Sequence, residues 1–264
     1  MIHHLNCATM CPVAGRLFGD GKMIAHCLLI ETPRDGLVLV DTGFGSRDCD
    51  GATPISGSFK KLVGPALDHA ETAIAQVRAL GHSPADVRHI VVSHLDLDHA
   101  GGLGDFPAAR VHLHAREHAQ ALGKRTVRDR NRYIQAHWQH GPKWELYEES
   151  GDTWRGLPAV TKLRGLDADI GLLPMHGHTY GHSAVIARDD KRWLVYAGDA
   201  YFHRDVVHGG GGQPIGFWAF ERMVATDEKR RKASVAALRE LRRAHADVAI
   251  FSAHDVRELD AFRT

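Results

Sequence analysis

Short apolar runs that stop at a carboxylate or an imidazole are what most restrict this chain. The runs cover residues 24–30, 37–40, 89–92, 111–113, 184–187, 193–196 and 248–251. Their length and β-branched content predict strands, and the turn chemistry of Pro33 and Asp35-Gly36 between the first two predicts a hairpin. Asp41 follows 37–40 directly, His94 stands two residues beyond 89–92, and Asp199 and His254 stand three beyond 193–196 and 248–251. Reactive side chains at several strand ends converge on one edge of a sheet structure, where loops carry function. Residues 65–80 and 226–245 carry helical periodicity, so the expected class is α/β, with two mixed sheets and helices outside them.

The densest chemistry is SHLDLDHAGG, residues 93–102, in which His94, Asp96, Asp98 and His99 fall within six residues. Alternation in an extended loop would turn His94, Asp96 and Asp98 to one side, so one loop could serve two adjacent cations. A polar loop whose aspartates cap the next helix is the plainer alternative. HGHTYGH (176–182), AGDA (197–200) and FSAHD (251–255) add His178, Asp199 and His254. The chain holds 20 histidines, but most lack such a pattern. His176 and His182 are expected beside the site rather than in it, and His112 and His114 alternate along a strand as polar surface positions.

Composition narrows the class. Hydrophobic residues make up 44% of the 264 and charged residues 25%, close to globular averages of about 45–50% and 25%. One domain over 1–264 is expected, with a helical insertion at 124–154 that is rich in Arg and aromatics. A formal charge of +1 gives no bulk electrostatic reason to bind nucleic acid or an anionic membrane. Cys7, Cys11, Cys27 and Cys49 form no CxxC pair and are expected reduced. With no signal-peptide pattern and no long apolar run, a cytoplasmic protein is expected.

This set of motifs, in this order from about residue 24 to 255, resembles the metallo-β-lactamase-fold hydrolases. The resemblance implies an αββα sandwich with a dinuclear metal site at the edge of its two sheets. It assigns His94, His178 and the second position of the HxHxDH motif to the first metal. It assigns Asp98, His99 and His254 to the second, makes Asp199 the bridge, and gives Asp41 of the DTG turn a supporting role. The second motif position here is Asp96, where these hydrolases mostly carry His. Two divalent ions, three ligand aspartates and one hydroxide sum to zero charge, where the two-aspartate set leaves +1. Such a cluster acidifies water less, and its oxygen ligand favours harder ions such as Mn²⁺ or Fe²⁺ alongside the expected Zn²⁺.

Among the branches, DTGFG, HAGG, GDA and SAHD are most similar to lactonase-type members, including N-acyl-homoserine lactonases. That implies hydrolysis of a lactone or related ester, with Asp98 orienting the nucleophile and returning a proton to the leaving alkoxide. In those lactonases a Tyr three residues past the bridging Asp assists; here that position is Phe202, and Tyr201 beside it is the substitute expected. A glyoxalase II-like thioesterase, whose substrate would need a basic patch such as residues 124–132, is the alternative enzyme. A metal-binding module weakened by Asp96 is the non-enzyme reading. A small-molecule substrate is expected, and dimerisation through the insertion is compatible with the resemblance.

Overall fold

A computed structural model describes residues 1–123, 126–149 and 151–263. The strands are β1 (Ile2–Met10), β2 (Met23–Glu31), β3 (Leu37–Val40), β4 (Val87–Val91), β5 (Arg110–His114), β6 (Lys143–Tyr147), β7 (Thr153–Trp154), β8 (Leu157–Pro158), β9 (Ile170–Pro174), β10 (Ser183–Arg188), β11 (Trp193–Tyr196) and β12 (Val248–Phe251). The α-helices are α1 (Ser46–Cys49), α2 (Gly57–Val63), α3 (Ala73–Ala79), α4 (Leu97–Ala100), α5 (Ala115–Leu122), α6 (Val127–Arg132), α7 (Asp205–His208), α8 (Ile215–Val224), α9 (Glu228–Ala244) and α10 (Val256–Asp260).

One sheet has the order β1-β2-β3-β4-β5-β6, and a second has β12-β11-β10-β9. The first is antiparallel from β1 to β3 and parallel from β3 to β6. Strand β3 shows how the layers arise. Successive side chains on a strand point to opposite faces. Val38 and Val40 therefore pack toward the second sheet, among Leu172, Val185 and Phe251, while Leu37 and Leu39 pack outward with Val77 of α3. On the far side, Leu173, Ile186 and Val195 meet Val235, Leu238 and Leu241 of α9. Helix, sheet, sheet, helix is the result, the expected αββα sandwich. No helix among the described residues is long and apolar enough to cross a membrane.

The structure departs from expectation where tertiary contacts outweigh local pattern. The helix expected over 65–80 shrinks to α3, because Thr72 caps it and the Glu71 carboxylate is drawn away to accept the Thr9 amide and hydroxyl of β1. The stretch 124–154 is not wholly helical: it holds α6 and then β6, which pairs parallel to β5. Lys124, Arg125 and Ser150 of that stretch lie outside the described residues. His112 and His114 are buried rather than on the surface. His112 stands between His89 Nδ1 and the Tyr147 hydroxyl, 2.9 Å from each, because β6 brings Tyr147 across it. All four cysteines are free thiols.

Candidate metal centre

The loops that follow β4, β9, β11 and β12 meet at one edge of the sandwich. Asp41, at the end of β3, sets their positions. Its carboxylate accepts from the Ser93 amide (2.7 Å), the Ser93 hydroxyl (2.6 Å), His99 Nδ1 (2.8 Å) and the Tyr196 hydroxyl (2.7 Å). Asp41 itself sits at φ 54°, a left-handed conformation unusual for a side chain with a Cβ. Four charge-assisted hydrogen bonds over-determine that strained backbone. The supporting role expected for Asp41 therefore has a physical basis, since it grips the 93–99 loop and ties it to the second sheet.

Three of the four site histidines, His94, His99 and His254, are aimed by their Nδ1 atoms, whereas His178 Nδ1 is buried without a hydrogen-bond partner. His99 Nδ1 donates to Asp41, and His254 Nδ1 donates to the Ile24 carbonyl at 2.7 Å. The Ser93 hydroxyl is already committed to Asp41, so at 2.9 Å it accepts from His94 Nδ1. With Nδ1 protonated, each of these rings offers a lone pair at Nε2, the outer-sphere arrangement that fixes a ligand histidine.

Those lone pairs converge on carboxylate oxygens. Ligand atoms of His94, Asp96, His178 and Asp199 all lie within 4.8 Å of one another, and so do those of Asp98, His99 and His254. His178 Nε2 is 3.0 Å from Asp96 Oδ2 and 3.2 Å from Asp199 Oδ2, while His94 Nε2 is 3.4 and 3.8 Å from the same two atoms. Asp199 turns Oδ1 toward His99 and His254, at 3.2 and 3.1 Å. Around an ion with bonds of about 2.0–2.1 Å, neighbouring tetrahedral ligands are about 3.3 Å apart, so these spacings fit. His94 Nε2, His99 Nε2 and Asp199 Oδ1 are buried without a hydrogen-bond partner. Buried acceptors facing acceptors are costly unless a cation lies between them, and this donor set of imidazoles and carboxylates suits a divalent one.

The electrostatics follow the same geometry. Burial pushes the Asp199 carboxyl up, but His254, His99 and His178 outweigh it and hold it well below the usual carboxylate range. Burial lowers His254, yet Asp199 and Asp98 raise it above its ordinary value. His178 drops to about 4, because burial wins there over the pull of Asp199. Gly198 is required beside Asp199: it has φ 52°, and a Cβ there would stand 2.7 Å from His182 Nε2. His182 is a support, as expected, with Nδ1 donating to the Met175 carbonyl at 2.8 Å and Nε2 accepting the Asp199 amide at 2.9 Å.

The seven residues expected to hold metal are thus brought together, but Tyr201 is not among them. Its hydroxyl donates to Glu258 at 2.8 Å inside the helical layer, while Phe202 next to it lines the cavity against His254. Adjacent residues leaving a strand end point in opposite directions, and here the apolar one faces the site. The role expected for Tyr201 is therefore corrected by the geometry.

Glu117 escapes sequence reasoning altogether, and Arg132 enters it only as the end of the basic stretch 124–132, not as a partner of the site. Glu117 of α5 is fully buried, and its carboxylate accepts the Leu95 amide (3.0 Å), the Thr179 hydroxyl (2.7 Å) and the Gly181 amide (3.1 Å). It locks two ligand loops to each other. Arg132, at the end of α6, is nearly buried and reaches Asp96. An Asp at a position that resembles a His site is the one signal that could have prompted a search for an added cation.

A cavity of about 270 Å³ opens over the site. Asp96, Asp98, His178, Asp199 and His254 form its floor, and Met10, Met23, Phe59, Leu62, Phe202 and Phe220 are among its apolar walls. Helix α8, which sequence reasoning left unassigned, supplies Phe220, Met223 and Val224.

Residues 20–254 match the Metallo-beta-lactamase superfamily model, and the chain belongs to that superfamily. A Mycobacterium tuberculosis protein named Probable metallo-hydrolase is 40% identical over 255 residues, 96% of this chain and 80% of the relative. An N-acyl homoserine lactonase of Azorhizobium caulinodans is 30% identical over 173 residues, 65% of this chain and 62% of that protein. Among solved structures, an N-acyl homoserine lactone hydrolase with N-hexanoyl-L-homoserine at its metal centre superposes with a TM-score of 0.72. It is 19% identical and the match covers 98% of this chain and 95% of that one, which supports the fold. The chain is a metallo-hydrolase of this superfamily, with a candidate site for divalent metal.

Proposed function

We propose that this enzyme hydrolyses a lactone or related carboxylic ester that carries an apolar acyl group, using a dinuclear site. The single observation that carries the reading is the buried meeting of histidine lone pairs with Asp96, Asp98 and Asp199 at the floor of an apolar cavity. His94, Asp96, His178 and Asp199 would hold one ion, and Asp98, His99, His254 and Asp199 the other. When bound, divalent ions supply Lewis acidity that makes water nucleophilic at neutral pH and polarises a carbonyl.

The chain's own residues do the rest. The walls formed by Met10, Met23, Phe59, Leu62, Phe202 and Phe220 bind the acyl chain and keep bulk water from the carbonyl. Asp98 lines the cavity beside Asp199 and His254; it orients the attacking water and accepts its proton. Water adds to the carbonyl carbon, the ring C–O bond breaks, and Asp98 returns the proton to the alkoxide that leaves. No phenol assists, because Phe202 occupies that side of the cavity.

The thioesterase alternative is less well supported. A glutathione thioester needs a free cation to receive its carboxylates, and Arg132, the one Lys or Arg among the described residues lining the cavity, is already paired with Asp96.

A hydrolysis screen tests the reading, run over lactones of increasing acyl length, aryl esters, glutathione thioesters and phosphoesters after loading with Zn²⁺, Mn²⁺ or Fe²⁺. Lactone turnover that rises with acyl length is expected. Turnover confined to thioesters or phosphoesters, or none at all, would overturn it. Zinc remains the expected ion, with Mn²⁺ and Fe²⁺ favoured by the carboxylate at 96.

A further inference from the structure

Arg132 is the residue that the proposed reaction leaves unexplained. Its side chain is 9% exposed, and a buried guanidinium needs an anion and satisfied N–H groups. Nε stands 2.8 Å from Asp96 Oδ1, Nη1 donates to the His178 carbonyl at 3.2 Å, and Nη2 donates to the Val224 carbonyl at 2.8 Å. Nη2 also lies 3.3 Å from His178 Nε2. The guanidinium therefore joins the 93–99 loop, the 176–182 loop and the end of α8, with its charge against Asp96.

Asp96 divides its two oxygens. Oδ1 faces Arg132, while Oδ2 faces His178 at 3.0 Å and His94 at 3.4 Å. We propose that Asp96 and Arg132 work as one composite ligand: a charge-neutral pair that presents a single oxygen to the first metal position, where related hydrolases present a neutral histidine. This rests on the dinuclear reading above. The charge balance supports it. Two divalent ions, Asp96, Asp98, Asp199 and a hydroxide sum to zero, and Arg132 returns the total to +1, the value of the two-aspartate set. The reach of the pair also fits: aspartate is shorter than histidine, and the arginine behind it holds the carboxylate forward. Arg132 is thus a positioning residue that acts through Asp96.

A double-substitution cycle read by metal content and chelator competition decides the matter. Asp96→His alone leaves Arg132 without its anion beside a neutral ligand, and the weaker ion should be lost with an affinity drop of about tenfold or more. Adding Arg132→Met to Asp96→His should restore that affinity to near the wild-type value. Arg132→Met alone should keep two ions but move the rise of kcat/KM to higher pH, because the cluster is one charge less positive. A purely structural role would produce no rescue and no pH shift. Arg132→Gln serves in the same cycle if the methionine variant fails to fold. Two ions in the wild type, with Asp96→His unaffected or the double variant no better than Asp96→His, would overturn this assignment alone. A single ion in the wild type would overturn the dinuclear reading and this assignment with it.

Discussion

Two groups of buried histidines share this interior and differ in what faces them. In the first sheet, His89 and His112 meet at 2.9 Å and the far nitrogen of His112 meets the Tyr147 hydroxyl. No carboxylate among the described residues is hydrogen-bonded to His112 there, and burial first, then repulsion from His89 when that ring is protonated, pulls His112 down to about 3. At the metal centre, His99 and His254 are equally buried, but carboxylates stand opposite them, and both rise above the ordinary histidine value despite burial. Burial by itself makes a histidine a neutral spacer. At His99 and His254 the same burial with aspartates across the gap makes a place for positive charge, because anions in a low dielectric seek a cation, whereas at His178 burial still wins.

The largest effect expected from breaking this contrast is at Asp199. Asp199→Asn removes the one carboxylate that faces both clusters. Bound metal should fall below two ions per chain, and kcat/KM should drop by about 10³-fold, the scale of losing a centre that stabilises developing charge. In chelated protein the same variant should melt lower than wild type, since it removes the carboxylate whose charge holds His99 and His254 above the ordinary histidine value. Unchanged melting would show that the Asp199–histidine pairs do not stabilise the metal-free site.

Next in size is Glu117, whose loss leaves three buried donors from two ligand loops unpartnered. Glu117→Ala should cost about 2–4 kcal/mol in urea unfolding and weaken metal retention, whereas a surface glutamate variant should cost under about 0.5 kcal/mol. A value near the surface control would remove Glu117 as the link between the loops.

The neutral group is sharpened by pH. His112 has a folded pKa of about 3, below the value of 6.5 expected when unfolded. Its contribution is therefore complete above about pH 6.5 and is lost as pH falls from there toward 3. The expected slope is about 1.4 kcal/mol per pH unit. His112→Gln, measured by urea unfolding between pH 7 and pH 4, should flatten that slope. If the variant and wild type lose stability in parallel, His112 is not the group that protonates.

The smallest effect belongs to Tyr201. Tyr201→Phe should leave lactone turnover within about twofold and cost about 1–2 kcal/mol, since it removes only a buried hydrogen bond to Glu258. A large loss of kcat with normal stability would return Tyr201 to the reaction.

Much of this was legible before any coordinates. The apolar runs gave strands, and their alternating faces gave two packed sheets with helices outside. The positions of His94, Asp96, Asp98, His99, His178, Asp199 and His254 just past strand ends identified the residues that meet. These are local signals, written in period and spacing, and they survive because strand ends in a sandwich must lie at its edges. His112 and His114 show the limit: alternation told that they share a face, but only β6 and Tyr147 decided that the face is buried.

The same limit governs Tyr201 and Arg132. Which of Tyr201 and Phe202 faces the cavity depends on how the turn after β11 leaves the sheet, a rotation that residue order does not encode. Arg132 reaches Asp96 across 36 positions of chain, and its register against the site depends on the packing of α6 and α8. Sequence alone determined which side chains could bind a cation and that they would gather. Tertiary structure decided which carboxylate oxygen faces the metal position and which faces an arginine, because electrostatic pairing in a buried site depends on distances of a few ångströms that no spacing rule supplies.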